Sequence, residues 1–402
     1  MSITTLKFGG SSLHGPESIN KVSRLIAAQS RQSRLFIVVS ALKGSTDALL
    51  AISRNTPKPA LEQLDALIDR HLRTARALLD GQRTGAWQND IAPYVSICRK
   101  IRGRTKRSTF DTASILALGE KLSAALLNQV LQRDLLDSKW LCSESLIKTT
   151  GNALKASVDT EVTKAAFAGL ENDDSPKQLT LITGFCGGDA NGRTTLLGRN
   201  ASDYSAALVA RHTHSGTLHI IGDTEGILSA DPDYVPGAAS ISRLSWQDAL
   251  LLARAGSGVL HPRTVEPLID AGISLRLDDL NQTGGTLIGG TCDQRRQSLI
   301  AAWRPPLQGI LSKAEASPQP LSTWQKQTPD NGVVSVFLAD HLDAEVCLRN
   351  LSALIANSSI PVARSRLFKA VKVLAFSVAP GDVERFTRLV HSALHPLHRE
   401  TA

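Results

Sequence analysis

From the N-terminus to about residue 290, short β-branched apolar runs alternate with segments of helical spacing, and this alternation restricts the fold more than any other feature. The run "TTLKFGG" is a strand entering a glycine turn, and "SINKVSRLIAAQS" follows it as a helix. "LFIVVSA" is apolar at every central position, as expected of a strand covered on both faces. "LEQLDALIDRHLRTARALL" is an amphipathic helix, and "DTASILALGEKLSAALLNQVLQ" a second, capped by Asp111. "QLTLITGF", "TLHIIGD" and "ISLRLDD" are further strands, with helices at "DYSAALVARH" and "SWQDALLLARA" between them. Strands separated by helices predict an α/β domain with a largely parallel sheet.

The pattern changes near residue 300. "RPPLQGILSKAEASPQPLSTWQKQTPDNG" is rich in Pro, Gln, Ser and Lys and reads as a connection. After it come a strand (VVSVFLA), a helix (LDAEVCLRNLSALIANS), two strands (VARSRLF, VKVLAFSV) and a last helix (GDVERFTRLVHSALH). The order β-α-β-β-α predicts a small ferredoxin-like ligand-binding module. The expected division is therefore 1–292 and 303–402.

Hydrophobic content of 42% with 20% charged residues describes a globular chain and excludes a disordered one. No apolar run spans a bilayer and no secretory signal is visible, so a cytoplasmic protein without a membrane partner is expected. Five scattered cysteines in no zinc spacing read as free thiols of a reducing compartment. The formal charge of +8 raises the question of nucleic acid. The densest basic stretch, Cys98 to Ser108, has no aromatic for base stacking and no DNA-binding motif around it. It reads as a solvated loop, with steering of small anions as the alternative.

Chemistry concentrates where strands run into turns. In "LKFGGSS", Lys7 ends a strand, and Gly9, Gly10 and Ser11 let backbone N–H groups approach a phosphate closely. The lysine precedes the glycines, so this is no Walker loop, and an ordinary strand-to-helix turn remains open. Ser40 ends the next strand and Thr46 lies before the next helix, where open α/β sheets bind ligands; plain turn chemistry accounts for both equally. Glu120 interrupts an apolar helical face, which is costly unless it meets a ligand amine or a buried Lys or Arg. In "LLGRNASDYSAALVA", Ser202 and Asp203 are good N-cap residues, and Arg199 offers a planar fork to a carboxylate or phosphate at the helix start. His261 before Pro262 reads as a structural histidine at a helix break, because no second His stands at ligand spacing.

Taken in order, "KFGGSS", "VVSALKGSTDALL", "LGEKLSAALL", "TGFCGG", "LLGRNASDYSAALVA", "GDTEGILSADPDYVPGA", "GVLHPRTVEP" and "GGTLIG" resemble aspartate kinases of the amino-acid-kinase superfamily, across residues 3–290. "KFGGSSL" and "LLGRN-SDYSA" look most like the kinase half of bifunctional aspartokinase–homoserine dehydrogenases, and the tail resembles a short ACT-type regulatory region. The resemblance implies a three-layer αβα kinase domain with an ACT-like module behind it. It also implies transfer of the ATP γ-phosphoryl group to the side chain of L-aspartate, the first step toward lysine, threonine and methionine, with Mg²⁺ as the accompanying ion and homo-oligomers formed through the module. By the family pattern Lys7 lies on the phosphoryl group and Asp203 orients it. Arg199 takes the α-carboxylate, Glu120 the α-ammonium, and Ser40, Thr46 and Ser202 line the same pocket. Gly9, Gly10, Ser11, Asp223 and Gly226 belong to the nucleotide, and no residue is assigned as a protein ligand to a metal.

Departures cluster on the nucleotide side. Leu228 stands where the family has Tyr, Asp233 where it has Arg, and Gly258 where it has Lys; Ala201 replaces a glycine. An acidic group beside a polyanion predicts weak ATP binding. Two alternatives therefore stay open: a relative that phosphorylates another amino acid or carboxylate, and a regulatory partner with a decayed nucleotide site.

Overall fold

The computed structural model describes residues 2–104, 106–171, 179–198, 201–223, 225–255, 259–282, 284–289, 299–303, 332–338, 342–368 and 373–394. Contacts divide the chain into two units, Met1–Thr224 with Pro267–Thr283, and Glu225–Glu266 with Gly284–Ala402.

The first unit is built on six strands in the order Ser274–Asp279, Thr217–Gly222, Ser2–Phe8, Ser33–Val39, Leu179–Thr183, Ser138–Leu141. All five pairings are parallel. The expectation of a mainly parallel sheet thus holds, and the physical reason is visible in the strands. Leu35–Val39 and Leu179–Thr183 are buried at every position, which demands cover on both faces.

On one face, Leu6, Phe8, Leu35, Ile37, Val39, Leu179 and Leu181 join a core with the helices Pro16–Ser30, Pro57–Leu78, Gly81–Arg102 and Leu118–Arg133. Alternate residues, Lys7 among them, point the other way, toward the alanine-rich helix Ala201–His212, which packs on the strands Ser2–Phe8 and Ser33–Val39. The chain order reverses at the central strand: its successor Ser33–Val39 lies on one side and the later strand Thr217–Gly222 on the other. Open sheets bind ligands at the carboxyl ends of strands beside such a reversal.

In the second unit, a four-stranded antiparallel sheet runs Leu299–Trp303, Gly332–Phe337, Val373–Val378, Val362–Phe368. The helices Ala344–Ala356 and Val383–Leu394 bury Cys347, Leu351, Phe386 and Val390 against Val334, Val336, Leu374 and Phe376. The β-α-β-β-α order is as expected; the strand Leu299–Trp303 adds a member that the sequence reading assigned to no element.

Three local expectations need correction. The helix expected from Asp111 is two helices, Thr109–Leu116 and Leu118–Arg133, parted at Ala117. Its cap is Ser108, whose side chain accepts the Asp111 N–H at 3.1 Å while the Asp111 carboxylate accepts the Ser108 N–H at 2.8 Å. That is a reciprocal capping box with Asp111 as its third residue. The basic stretch is not a solvated loop throughout. Cys98–Arg102 end the helix Gly81–Arg102, and Arg102 is fully buried, donating to the Asn55 carbonyl. Arg107 donates to the same carbonyl, and Arg104 pairs with Asp111 at 2.9 Å. The third correction concerns Ser202 and Asp203, which are the second and third residues of a helix starting at Ala201 and not its cap. A first-turn acid still suits the positive end of the helix dipole.

Helix Leu118–Arg133 meets the end of the strand Ser33–Val39 at Gly119. A Cβ there would lie 2.7 Å from the Ala41 Cβ and 3.2 Å from Leu49 Cδ1. Gly119→Ala is therefore expected to destabilise the protein by about 1–3 kcal/mol through overpacking. Denaturant melts check this, and an unchanged midpoint would show that the helix can withdraw freely from the strand end.

Candidate active site

The carboxyl ends of three adjacent strands, Thr217–Gly222, Ser2–Phe8 and Ser33–Val39, collect residues singled out from sequence. Lys7 is the next-to-last residue of the central strand, and its Nζ lies 2.6 Å from Asp203 Oδ1. The pair is 12% and 23% exposed, so it sits at the site's floor while remaining reachable. Asp203 comes to it because the helix Ala201–His212 lies directly against the strand end. A Cβ on Gly184 would stand 2.8 Å from Ser202 Oγ, so only a glycine lets the helix start this close.

After Lys7 the chain tightens. Gly9 donates to the Ile221 carbonyl at 3.3 Å, and Gly10–Ser12 form a single 3₁₀ turn. Gly10 passes so near the neighbouring loop that a Cβ would meet the Ala41 carbonyl at 3.0 Å. Ser12 is buried and donates to the Ile221 carbonyl at 3.0 Å, while Ser11 stays partly open. Gly9, Gly10 and Ser11 thus form a turn pinned to the strand Thr217–Gly222, whose next residue is Asp223, exposed to solvent. A cavity of about 270 Å³ at these strand ends is lined by Ser11, His14, Glu17, Asp223 and Asp279 among others.

On the other side of the central strand, Ser40 donates its N–H to the Phe8 carbonyl at 3.1 Å. The following residues are held from the helix Leu118–Arg133: Ala41 N–H reaches Glu120 Oε1 at 3.4 Å and Leu42 N–H reaches Ser123 Oγ at 2.9 Å. Thr46 is exposed, second in the helix Ser45–Arg54. Glu120 is 3% exposed, and its Oε2 has no partner among the described residues. Desolvation pushes its carboxyl up to about 8, against smaller downward pulls from backbone N–H groups and Lys121. The sequence reading allowed either a ligand amine or a buried cation as its partner. The neighbouring Lys121 is engaged elsewhere, 2.6 Å from Glu144 Oε1.

Arg199 and Gly258 lie outside the described residues. Gly226 belongs to the second unit, at φ 108° and pressed so close to Thr286 that a Cβ would fall 2.6 Å from Thr286 Oγ1. Its conformation alone requires glycine. In the same unit Leu228 is half-buried and Asp233 exposed. His261 accepts the Arg263 N–H at 3.2 Å at the start of helix Pro262–Ala271, the structural duty expected of it. Cys98, Cys142, Cys186 and Cys347 form no disulfide among the described residues.

Sequence reasoning missed Ser123, Gly184, Lys121 and Glu144. The charged doublet Glu120–Lys121 inside an apolar helix was a signal for Lys121. Nothing in the sequence marks Glu144 as its partner.

Residues 2–277 match the amino acid kinase family. The chain belongs to that family. This amino acid kinase is 32% identical over 275 residues to the aspartokinase of Chlamydia pneumoniae, covering 68% of the chain and 60% of that protein. It is 30% identical over 282 residues to the bifunctional aspartokinase/homoserine dehydrogenase of Haemophilus influenzae, covering 67% of the chain and 34% of that protein. The match thus spans 60% or less of these curated relatives' own length. The structure of E. coli aspartokinase III in complex with aspartate and ADP superposes with a TM-score of 0.81 at 20% identity, over 98% of this chain and all of that one. At that identity the likeness establishes the fold of this amino acid kinase: a mixed α/β protein with a mainly parallel central sheet. No helix among the described residues is long and apolar enough to cross a membrane.

Proposed function

We propose that this amino acid kinase is an aspartate kinase, transferring the γ-phosphoryl group of ATP to the side-chain carboxylate of L-aspartate. The observation that carries the reading is Glu120, a buried carboxylate beside the Ser40 loop with one oxygen that has no partner among the described residues. Such a group needs a cation, and the α-ammonium of an amino acid supplies one.

The remaining roles follow from chemistry. The aspartate side chain is ionised at neutral pH, with an ordinary pKa of about 3.9, so no strong base is required. One of its oxygens attacks the γ-phosphorus, an O–P bond forms, the P–O bond to ADP breaks, and the electron pair leaves on the ADP oxygen. Catalysis is then placement plus neutralisation of charge. Lys7 neutralises the moving phosphoryl group, and Asp203 at 2.6 Å keeps its ammonium aimed. Gly9, Gly10 and Ser11 present backbone N–H groups to phosphate oxygens. Ser40, Thr46 and Ser202 line the amino-acid side, and Arg199 takes the α-carboxylate. Asp223 and Gly226 are assigned to the nucleotide. The oxygen donors at the cavity, Ser11, Asp223 and Asp279, are of the kind Mg²⁺ accepts. No cluster of three metal-ligating side chains occurs among the described residues, so phosphate oxygens would complete its shell. Mg²⁺ supplies neutralisation of phosphate charge. We assign residues 1–292 to catalysis and 303–402 to an ACT-like module that regulates the enzyme and joins copies of the chain in a cytoplasmic homo-oligomer. The four-stranded antiparallel sheet with two helices supports the second assignment.

The test is ATP-dependent acyl-phosphate formation, trapped with hydroxylamine, across aspartate, glutamate and N-acetylglutamate. Hydroxamate from aspartate is expected. Arg199→Lys, which keeps charge but loses the fork, should raise the aspartate KM with a smaller change for ATP. Product from another acceptor alone would replace aspartate as the substrate. Asp233, exposed where relatives of this kind carry Arg, favours a second reading, a regulatory paralogue. The absence of both hydroxamate and nucleotide binding at millimolar ATP analogue would establish it.

A further inference from the structure

Behind Glu120 lies an ion pair that the proposed chemistry does not use. Lys121 Nζ is 2.6 Å from Glu144 Oε1, and the two side chains are only 8% and 11% exposed. The ammonium also sits over the Tyr94 ring, 4.7 Å from its centre. Glu144 belongs to the one-turn 3₁₀ segment Ser143–Ser145. Its Oε1 accepts a second bond from Thr194 Oγ1 at 3.0 Å, in the hairpin formed by Cys186–Gly188 and Thr194–Leu196. The same segment grips the hairpin elsewhere. Ser143 Oγ donates to the Cys186 carbonyl at 2.8 Å, and Gly188 has no room for a Cβ beside the Glu144 carbonyl. The hairpin's second strand ends at Leu196, and the helix bearing Ser202 and Asp203 starts at Ala201.

Glu144 therefore joins two pieces. One is the helix start that presents Glu120. The other is the hairpin whose second strand precedes the helix Ala201–His212. A buried ion pair is a poor choice for stability alone, since well-packed apolar residues of similar volume often serve as well or better. It is a good choice for fixing direction, because a short charge-assisted bond tolerates little displacement.

We propose that Lys121 and Glu144 are positioning residues for the amino-acid substrate, fixing the spacing between Glu120 and the helix start that bears Ser202 and Asp203. The inference rests on the aspartate kinase reading, in which Glu120 holds the α-ammonium and Ser202 lines the same pocket. Neither Lys121 nor Glu144 touches substrate or moves a proton.

The test compares Lys121→Met, Lys121→Arg and the double variant Lys121→Met with Glu144→Leu, using the full chain. Wild-type hydroxamate formation from aspartate first establishes that the reading itself stands; its failure there would be separate from failure of the pair. Lys121→Met is expected to raise the aspartate KM about tenfold or more, equivalent to roughly 1.4 kcal/mol, while the ATP KM changes less than about twofold. Lys121→Arg, which can still reach Glu144, should recover most of the aspartate affinity. The double variant removes both charges and should melt near the wild type, yet keep the raised aspartate KM. It provides the readout if Lys121→Met does not fold. A folded double variant with a wild-type aspartate KM would overturn the proposal. So would aspartate and ATP KM values rising together, which would mark general loosening of the fold.

Discussion

Lys7→Ala is expected to lower hydroxamate formation about a thousandfold or more while leaving the protein folded. Removing a single preorganised group that stabilises transition-state charge already costs roughly 10²–10³ in kcat. Here the loss is compounded, because Asp203 lies 2.6 Å from the vanished ammonium and remains as a bare negative charge near the phosphoryl path. Asp203→Ala is expected to come close to the same loss, since a lysine without its anchor samples many rotamers. The two residues act as one device, so the double variant should be scarcely worse than either single one. Circular dichroism and thermal melts separate this from unfolding: both side chains are partly open and border the site, so the melting temperature should shift little. A double variant whose losses multiply would show that the lysine and the aspartate work independently. Near-normal turnover in either single variant would remove that residue from the reaction.

L-Aspartate binding is expected to release close to one proton per site at pH 7, and the origin is Glu120. Burial holds its carboxyl at about 8, so the empty site carries it mostly protonated at neutral pH. An incoming α-ammonium favours the charged form and expels the proton. The aspartate KM should therefore fall as pH rises from about 6 to 8, and calorimetry in buffers of differing ionisation heat should count the released proton. Glu120→Gln keeps the shape and the Ala41 contact but cannot ionise. It should abolish proton release, flatten the pH profile and raise the aspartate KM roughly 10–150-fold, the value of a charge-assisted bond of about 1.5–3 kcal/mol.

The sign for stability is opposite to that of an ordinary salt-bridged carboxylate. Glu120's folded pKa of about 8 lies above the unfolded 4.5, so between these values the folded state holds a proton that the unfolded state lacks. Stability therefore falls as pH rises through that window. Wild type should lose stability relative to Glu120→Gln from about pH 4.5 to 8. Parallel stability profiles for the two proteins would show that Glu120 is already paired in the empty site.

Periodicity carried a large part of the architecture. Runs such as Leu35–Val39 and Leu179–Thr183 have no polar face to turn outward, so only a covered, parallel arrangement suits them. The strand Leu299–Trp303 and the helix Gly81–Arg102 were not legible. The first is five residues beside a proline-rich stretch, and the second carries Gly85 and Pro93 within its span. Its buried stripe, Thr84, Trp87, Ile91, Val95 and Cys98, shows the helical period only once the partner helices are known. A cap at this helix start was legible but placed three residues late, at Asp111 and not Ser108, since Ser and Asp are both good caps and only the backbone decides which serves.

The sequence by itself determined which charges break a local pattern: Lys7 at a strand end before two glycines, Glu120 inside an apolar helix, and Asp203 at the start of an alanine-rich one. Local pattern suffices there, because a charge that breaks an apolar run or a glycine pair that ends a strand is costly unless used. Only the tertiary structure decided who meets whom. Lys7 reaches Asp203, 196 positions along the chain by their residue numbers, because strand alternation turns it toward the helix Ala201–His212 and Gly184 lets that helix close in. Lys121 pairs with Glu144, and the Glu120 Oε2 has no hydrogen-bond partner among the described residues, a result of packing a 3₁₀ turn against a hairpin. Pairings across such separations depend on distances of a few tenths of an ångström between packed elements, and no local pattern of residues records those distances.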